Sequence, residues 1–246
     1  MKISIITVCY NSQETIKDTI ESVINQSYGN IEYIIIDGNS DDNTCDIINS
    51  YKNNIDFFVS ENDKGIYDAI NKGIKLASGE VIGLLHADDI FDNNQVIQKV
   101  ISNFDLKKDI LFGDINYVKR NNLNHVVRKW KSSNYSQHKF KMGWMPPHTG
   151  FFLKRKCYID FGLYRLDLGS SADYELMLRM FEVHKLSSFY LPINIVKMRL
   201  GGISNSNLKN RWLANKNDKK SWQINSLKPS WFTFFLKPII KLKQFI

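Results

Sequence analysis

Cysteine is scarce in this 246-residue sequence, which has only Cys9, Cys45 and Cys157. The number is odd, the positions are far apart, and two of them lie in or beside apolar runs. This distribution argues against a disulfide framework and against a cysteine-ligated metal site. We therefore expect three reduced thiols in a protein of the cytoplasm.

Long apolar runs are also missing, since no stretch reaches the ~18 uncharged apolar residues that span a bilayer. The first residues, MKISIITVCYNSQE, are typical of a strand and lack the apolar length and cleavage site of a signal peptide. The hydrophobic content of 43% is enough to bury a sizeable core. The length predicts one large domain, or one domain with an appendage.

Negative charge is nearly absent from the C-terminal part of the chain. From Gly201 onward there are nine lysines and arginines and a single acid, Asp218, so this part carries the whole formal net charge of +8. The first 200 residues are neutral overall, which argues against a generic polyanion-binding protein. We predict that residues 205–246 are a basic, aromatic extension of a domain formed by residues 1–204.

Strands and helices alternate in the first half of that domain. The β-rich runs ISIITVCY, IEYIIID, IDFFVS and EVIGLL are separated by amphipathic segments, and Ile16, Ile20 and Val23 share one helical face. Asn11 and Glu14 are predicted to form a capping box at the first helix. The alternation predicts an α/β fold with an open, mostly parallel sheet flanked by helices.

The second half is less regular. A helix is expected near 93–104, followed by the strand DILFGDINYV, but residues 119–145 show no clear period. Further on, HTGFFLK and SSFYLPINIVKM are predicted strands, and SADYELMLRMFEVHK is a predicted helix. The domain therefore divides into a more regular half, 1–118, and a less regular half, 119–204.

Polar clusters follow three of the predicted strands, at 7–11, 37–42 and 86–89, and the segment ENDKGIYD adds a fourth. Asp, Asn and Gly are common in turns and helix caps, which is a sufficient explanation for any one loop. Ligands of open parallel sheets, however, bind at the carboxyl ends of the strands. Several such loops at one edge therefore indicate a binding site.

The composition of these loops restricts the ligand. The turn after the first strand, TVCYNSQE, contains no glycine, so neither a dinucleotide-binding fingerprint nor a phosphate-binding P-loop is present. Carboxylates repel phosphate, by ~4 kcal/mol for two unit charges ~4 Å apart at an effective dielectric constant of ~20. A divalent cation reverses this effect, because carboxylate oxygens bind Mg²⁺ or Mn²⁺ and the cation binds the phosphates.

Four segments together resemble the inverting family 2 glycosyltransferases of the GT-A fold. They are ISIITVCYNSQETIKDTIESVINQSY, IEYIIIDGNSDDNT, ENDKGIYDAINKGIKLASGEVIGLLHADD and SADYELMLRM, in the family's order and at suitable spacing. The resemblance covers residues 1–205 and is greatest to bacterial enzymes that build O-antigens, capsules and other surface polysaccharides. It implies transfer of a sugar from a nucleotide-diphosphate donor, with UDP as the expected nucleotide, to a saccharide acceptor.

The resemblance also implies roles for individual residues. Those implied to bind the nucleotide sugar are Thr7, Tyr10, Asn11, Asp37, Gly38, Ser40, Asp63, Lys64, Asp88, His148 and Arg199. Asp89 is implied to be the direct ligand of Mn²⁺ or Mg²⁺, with Asp88 beside it on ribose or on a metal-bound water. His86 replaces an Asn that is frequent in the family, and its role stays open between donor contact and pocket wall.

The catalytic base implied by the resemblance is Asp173. Ser170 or Ser171 is positioned to cap the helix, which leaves Asp173 in its first turn, where the helix dipole favours a carboxylate. Glu175 lies about 200° further around the helix and cannot share this role. An ordinary first-turn Asp remains the alternative for Asp173. For His148 the alternative is a structural histidine. Arg199 with Gly201, Gly202 and Ser204 is a candidate cradle for the leaving diphosphate, because backbone amides in such a turn can bind phosphate oxygens. A plain glycine turn is the alternative for that segment.

Two other functions remain to be weighed. A sugar nucleotidyltransferase has a similar sheet but normally carries a glycine-rich loop after the first strand, and a nucleic-acid-binding module is favoured only by the charge of the tail. For a glycosyltransferase, we expect residues 1–118 to be the nucleotide-sugar-binding half and residues 119–204 the half that binds the acceptor and supplies the base, with acceptor choice within residues 119–147. The tail mixes lysines with aromatic residues, which suits the inner face of a membrane that carries a lipid-linked acceptor. Packing of the tail on the catalytic domain or on a second subunit is the alternative.

Overall fold

The computed structural model describes residues 1–104, 108–201, 208–242 and 244, with the backbone alone at 208–212 and 241–242. The elements follow one another as β1 (Ile3–Cys9), α1 (Ile16–Ile24), β2 (Ile31–Asp37), α2 (Thr44–Ser50), β3 (Phe57–Ser60), α3 (Ile66–Leu76), β4 (Val81–Leu84), β5 (Asp89–Phe91), α4 (Val96–Asn103), β6 (Ile110–Lys119), β7 (Asn122–Trp130), β8 (Phe151–Lys154), α5 (Arg155–Phe161), α6 (Ala172–Leu178), β9 (Ser188–Arg199), α7 (Leu208–Ile224) and α8 (Thr233–Leu242).

All nine strands belong to one sheet with the order β3-β2-β1-β4-β8-β6-β9-β5, and β7 pairs with β6. The N-terminal strands β3, β2, β1 and β4 are parallel, as the alternation of strands and helices predicted. In the second half β8 runs antiparallel to both β4 and β6, while β6 and β9 are parallel. The predicted α/β class with an open sheet is confirmed, and the sheet is mixed because the second half adds antiparallel strands.

The core lies on both faces of the parallel strands. All seven residues of β1 are buried, which explains why this strand is a continuous apolar run and not an alternating one. Helix α1 covers the sheet with Ile16, Ile20 and Val23, the face that the sequence predicted. Helix α3 approaches so closely that a Cβ atom at Gly73 would lie 2.5 Å from Cγ2 of Ile6.

The predicted capping box is absent from the structure. Helix α1 begins at Ile16 with Thr15 as its N-cap, so Asn11 and Glu14 form no capping box. Asn11 instead has φ +48°, and its side-chain oxygen accepts a hydrogen bond from the Asp41 amide (3.1 Å). The stretch that showed no period contains β7, a mostly exposed strand that pairs with β6 alone.

The C-terminal extension packs on the sheet-containing part of the protein. The Trp222 indole donates to the Tyr174 hydroxyl (2.8 Å), and Asn225 donates to the buried Glu175 (3.0 Å). From α8, Thr233 donates to the Lys141 carbonyl oxygen (2.6 Å). Within the described ranges, no helix has both the length and the apolar character needed to cross a membrane.

Candidate functional site

The carboxyl ends of β1, β2 and β4 lie side by side, because these strands are parallel neighbours. The loops after β1 and β2 are tied together by hydrogen bonds. The Asn11 amide donates to Ser40 Oγ (2.9 Å), and the Ser12 amide donates to Thr44 Oγ1 (2.7 Å). The polar clusters that the sequence placed after separate strands therefore form one surface.

Asp37, at the end of β2, lies buried beneath this surface and anchors the loop that follows β2 through hydrogen bonds. Its side chain is fully buried and accepts hydrogen bonds from the Ser40 amide (2.9 Å), Ser60 Oγ (2.7 Å) and the Cys45 thiol (3.3 Å). Burial alone would raise the pKa of Asp37, but the hydrogen bonds, led by those from Ser40, hold it below the ordinary value. Asp37 is thus an ionised group whose oxygens are bonded within the loop.

The exposed part of the surface is formed by Tyr10, Gly38 and Asp63. A Cβ atom at Gly38 would lie 2.7 Å from Asp63 Oδ2 and 3.5 Å from the Tyr10 ring, so a larger residue here would displace the Asp63 carboxylate. Tyr10 is 62% exposed, whereas Thr7 is fully buried inside β1, with its hydroxyl 3.2 Å from that of Tyr33. Lys64 is exposed next to Asp63.

Asp88 and Asp89 follow β4 in a turn that leads directly into the short strand β5. Both carboxylate oxygens of Asp89 are buried, and neither has a hydrogen-bond partner among the described residues. Burial raises the pKa of Asp89 well above its ordinary value and the neighbouring Asp88 raises it further, while the backbone amide and the charge of Arg199 offset only part of this rise. The pKa of Asp88 is also raised, mainly by burial. An unpartnered buried carboxylate is costly, so this position calls for a positive group.

These residues fit a divalent cation held jointly with a ligand. No group of three or more His, Cys, Asp or Glu side chains suitable for a metal is found in the described part of the chain. A cation bound here would therefore have few protein ligands, with Asp89 as the principal one. Mg²⁺ commonly binds in this way, through one or two carboxylates together with substrate phosphates and water.

Arg199 holds the acidic turn in place from the last residue of β9. Its guanidinium donates to the carbonyl oxygen of Asp88 (2.9 Å) and forms an ion pair with Asp18. It is 5% exposed and also borders a cavity of about 470 Å³ together with Arg120 and Glu14. The structure thus places Arg199 beneath the turn. Of its predicted partners, Gly202 and Ser204 lie outside the described residues.

A second group of side chains, around α6, surrounds Asp173. The Nδ1 atom of His148 lies 3.7 Å from Asp173 Oδ2, and the rings of His148 and His86 are 5.7 Å apart. His86 is half-buried, its buried Nδ1 has no partner among the described residues, and desolvation followed by the charge of His148 lowers its pKa to about 3. His86 is therefore a neutral ring at ordinary pH.

The acidic turn lies close to the Asp173 cluster, because the Asp89 amide donates to the His86 carbonyl oxygen (3.0 Å), and the His86 ring lies 5.7 Å from that of His148, the neighbour of Asp173. The pKa of the nearly buried Tyr117 is raised to about 12, first by burial and then by the charges of both Asp89 and Asp173. His148 also acts electrostatically on Asp88. The fold therefore brings together three residues from distant segments. They are Asp89 of β5, predicted as the metal ligand, Asp173 of α6, predicted as the base, and His148 of the segment before β8, predicted as a donor contact.

Tyr67, in the first turn of α3, is a site residue that sequence reasoning missed. Burial, followed by the charge of Asp173, raises its pKa well above the ordinary value, which places the phenol beside the carboxylate. Its ring stacks on Tyr164 at 5.5 Å. The only signal in the sequence was its place three residues after Lys64 within the segment ENDKGIYD.

Helix α6 begins where the sequence predicted, but it ends at Leu178 and continues as a π-helix over Arg179–Val183, and its capping also differs. Ser171 is the N-cap residue, yet its hydroxyl donates to the Ala214 carbonyl oxygen in α7 (3.1 Å) and not to the helix amides. Glu175 is buried and pairs with Arg179 (2.9 Å), so it is unavailable as a base, as predicted. Asp173 is the more accessible carboxylate of this turn, with 17% of its side chain reached by solvent.

Comparison with known proteins identifies the fold and the family. The family model described as glycosyl transferase family 2 matches residues 4–164. An uncharacterized glycosyltransferase of Mycobacterium tuberculosis is 31% identical over 183 residues, 72% of this chain and 68% of the relative. The Escherichia coli protein WfaP, described as a UDP-Glc:α-D-GlcNAc-diphosphoundecaprenol β-1,3-glucosyltransferase, is 36% identical over 116 residues, 47% of this chain and 45% of WfaP.

Solved structures show the same architecture. Staphylococcus aureus TarS (residues 1–349, with UDP) superposes with a TM-score of 0.68 at 17% identity, covering 93% of this chain and 67% of that one. The mannosyltransferase PcManGT of Pyrobaculum calidifontis, with GDP-Man and Mn²⁺, gives 0.63 at 16% identity, covering 99% and 69%. At this identity the likeness concerns the fold, which is the GT-A fold expected from the sequence. From the family match and this architecture, the chain is a glycosyltransferase that belongs to family 2.

Proposed function

We propose that this protein is a metal-dependent, inverting glycosyltransferase that moves a sugar from a UDP-sugar to a lipid-linked saccharide in the synthesis of a bacterial surface polysaccharide, such as an O-antigen. The observation that carries the proposal is the buried carboxylate of Asp89, which has no side-chain partner and is linked to Asp173 through the neighbouring rings of His86 and His148. The catalytic domain would comprise residues 1–204, and residues 205–246 would be its membrane-facing extension.

The nucleotide would bind at the ends of β1 to β3. Tyr10 offers an exposed ring for the base, and Asp63 and Lys64 lie at the rim. Asn11, Gly38 and Ser40 shape the loop, with Asp37 as its buried anchor. In support of this placement, TarS, which shares the fold, was solved with UDP.

Mn²⁺ or Mg²⁺ would be held by Asp89, with Asp88 beside it. Bound there, the cation would neutralise the diphosphate and stabilise it as a leaving group. Arg199 would keep the turn in shape through the Asp88 carbonyl oxygen (2.9 Å). The Mn²⁺ in the PcManGT structure supports a divalent cation in proteins of this fold.

Asp173 would act as the base on the acceptor side. The acceptor hydroxyl oxygen forms a bond to the anomeric carbon, the bond from that carbon to the diphosphate oxygen breaks, and the hydroxyl proton passes to Asp173. Attack from the side opposite the leaving group inverts the configuration. His148 and Tyr67 border the carboxylate, so they would fix its orientation.

A lipid-linked acceptor is supported by WfaP, whose described substrate is a diphosphoundecaprenol-linked sugar. Such an acceptor lies at a membrane surface, and the basic C-terminal extension suits the inner, anionic face of a bacterial membrane. We therefore propose a peripheral location, with lysines and aromatic side chains of the extension in contact with lipid.

The test is a screen of UDP- and GDP-sugars for binding and for slow hydrolysis, with Mn²⁺ and with a chelator. We expect a UDP-sugar to bind in the presence of Mn²⁺ and to lose most of its affinity with the chelator, because the acidic turn then repels the diphosphate. Equal affinity in both conditions would contradict the metal-dependent part of the proposal. Failure of every donor to bind would contradict the whole of it.

A further inference from the structure

A cavity of about 400 Å³ lies between the end of β7, the segment before β8, and α8. Trp130 and Met145 form a buried apolar part of its wall, while Lys129 and Lys131 are exposed. The cationic groups therefore lie toward solvent, and the apolar surface lies deeper. This cavity is separate from the loops after β1 and β2.

The charged side chains that line the cavity are all positive. Among its described lining residues there are three lysines and no carboxylate. Lys237 is already paired with Asp218 (2.5 Å), but Lys129 and Lys131 form no ion pair with a described carboxylate. Asp114, on which Lys131 acts electrostatically, already accepts hydrogen bonds from the Ser132 amide and the Tyr190 hydroxyl.

The lining restricts the ligand. Lys129 and Lys131 are exposed at the cavity, and no carboxylate is among its described lining residues, which favours an anionic ligand with acceptor oxygens. The apolar wall favours a ligand that also carries a hydrocarbon part.

The cavity adjoins the helix that carries the proposed base. The Lys237 ammonium group lies 3.8 Å from the centre of the Tyr174 ring, and Tyr174 follows Asp173 in α6. On the other side, Met145 is three residues before His148, which contacts Asp173. A ligand in this cavity is therefore separated from the base by little more than one layer of side chains.

We propose that this cavity binds the phosphate-bearing end of the acceptor, a diphosphate ester of a long apolar chain, with the oxygens on Lys129 and Lys131 and the first part of the chain against Trp130. The proposal rests on the function proposed above and specifies where its acceptor is held. Helix α8 forms one wall of the cavity through Lys237 and Ile240. The C-terminal extension is thereby part of the acceptor site.

The test uses the full-length protein with a chelator present, so that no cation can hold a diphosphate at Asp89. Calorimetry compares farnesyl diphosphate, farnesol and inorganic diphosphate as ligands. The variant Lys129→Gln/Lys131→Gln removes both exposed charges and keeps side-chain length. Its matched control, Lys52→Gln/Lys75→Gln, removes two exposed lysines that form no ion pair with a described carboxylate and lie in helical segments beside the parallel strands.

We expect farnesyl diphosphate to bind more tightly than either fragment, and the Lys129/Lys131 variant to weaken this binding about tenfold while the control does not. Binding of farnesyl diphosphate that is absent, or unaffected by the variant, overturns the proposal. Inorganic diphosphate binding as tightly as the ester would also overturn it, since the site would then serve free diphosphate.

The same two variants are tested for Mn²⁺-dependent binding of UDP, which separates this proposal from the function on which it rests. Normal UDP binding with lost farnesyl diphosphate binding confirms an acceptor site distinct from the donor site. Loss of both would mean that the variant disturbs the whole domain, and the assignment to the two lysines would be wrong.

Discussion

The imidazole of His148 lies beside the carboxylate of Asp173, with 3.7 Å between Nδ1 and Oδ2. The two residues are 25 positions apart, one before β8 and the other in α6. Their side chains remain partly accessible, at 26% and 17%, so a substrate can reach the carboxylate while the ring restrains it. Positioning of this kind matters for a base whose proton transfer depends on geometry.

Asp173→Asn is expected to lower sugar transfer by about 10²–10⁴, the usual contribution of a general base. Mn²⁺-dependent UDP binding should be unchanged, because Asp173 would face the acceptor. Transfer assays and calorimetry check the two parts. Asp167→Asn is the control, since Asp167 bonds only to surface groups such as Arg165 and Lys220. A collapse of donor affinity in Asp173→Asn would assign the residue a structural role.

His148→Ala is expected to reduce kcat about tenfold without changing the KM for the donor, because it would remove the group that orients Asp173. His148→Gln, which retains a polar group of similar reach, should recover part of the loss. The sequence alone predicted donor binding for His148. A raised donor KM with normal kcat would support that first assignment against a positioning role.

Asp89→Asn should abolish the stabilisation that Mn²⁺ and UDP together give to the protein. At a ligand concentration a hundred times Kd, that stabilisation is about 2.7 kcal/mol. Without metal, the variant should melt at the same temperature or higher, because a buried unpartnered carboxylate is replaced by a neutral amide. Thermal melting with and without the ligands measures both effects.

The matched control for Asp89→Asn is Asp92→Asn, three residues further along. Asp92 accepts a hydrogen bond from Asn194 (2.7 Å) and is half-buried, so its loss should cost some stability but leave the response to Mn²⁺ and UDP intact. If Asp89→Asn still responds normally to Mn²⁺ and UDP, the metal assignment is wrong.

Glu32 should make the fold sensitive to acid. It is 2% exposed and accepts hydrogen bonds from Lys2 (2.6 Å), Ser4 (2.5 Å) and Ser78 (2.7 Å). Burial would raise its pKa, but these bonds outweigh burial and lower it to about 2. Because the folded-state pKa is depressed, the stabilisation is complete above the ordinary carboxyl pKa and is lost as pH falls toward 2.

The resulting contribution at neutral pH is about 3 kcal/mol at most. Urea unfolding of the wild type and of Glu32→Gln, at pH 7 and near pH 3, measures it. The variant should be less stable at pH 7, with a smaller difference near pH 3. Glu14→Gln, at an exposed glutamate, should keep the wild-type pH dependence. A difference between wild type and Glu32→Gln that is equal at both pH values would contradict the assignment.

The parallel half of the sheet could be predicted because its strands are buried on both faces and appear as unbroken apolar runs. β7 could not, since only Trp130 of its nine residues is buried and the strand has no apolar face to mark it. Its pairing is determined by β6, and by the turn at 120–121 that joins them. Edge strands of this kind depend on their neighbour and not on their own pattern.

The candidate site, like the fold, was predictable from the sequence only in part. The polar clusters at strand ends were readable because each follows a buried strand. The hydrogen bonds of Asp37 were not, since Ser60 is 23 residues away and Cys45 belongs to the next helix. The neighbourhood of His86 and His148 joins residues 62 positions apart, and no local pattern records it. Contacts between distant segments are set by the packing of the whole sheet.

Trp231, just before α8, and Phe235 and Ile239 within it form an exposed apolar stripe, with 84%, 70% and 52% of each residue exposed. They are spaced four residues apart, whereas Thr233 bonds to Lys141 of the catalytic domain and Lys237 pairs with Asp218 of α7. The C-terminal extension that carries this stripe also contains nine lysines and arginines. Aromatic rings and lysines together favour the headgroup region of an anionic bilayer.

We expect the full-length protein to sediment with anionic vesicles at low salt and much less with neutral ones, since each lysine near an anionic surface contributes about 1 kcal/mol. Trp231→Ser/Phe235→Ser should abolish most of this binding without changing the melting temperature, because both side chains project into solvent. Ile159→Ser/Leu166→Ser is the matched control, as Ile159 and Leu166 are 64% and 48% exposed elsewhere on the surface. Equal vesicle binding by the two double variants, or no binding by the wild type, would show that this stripe does not face a membrane.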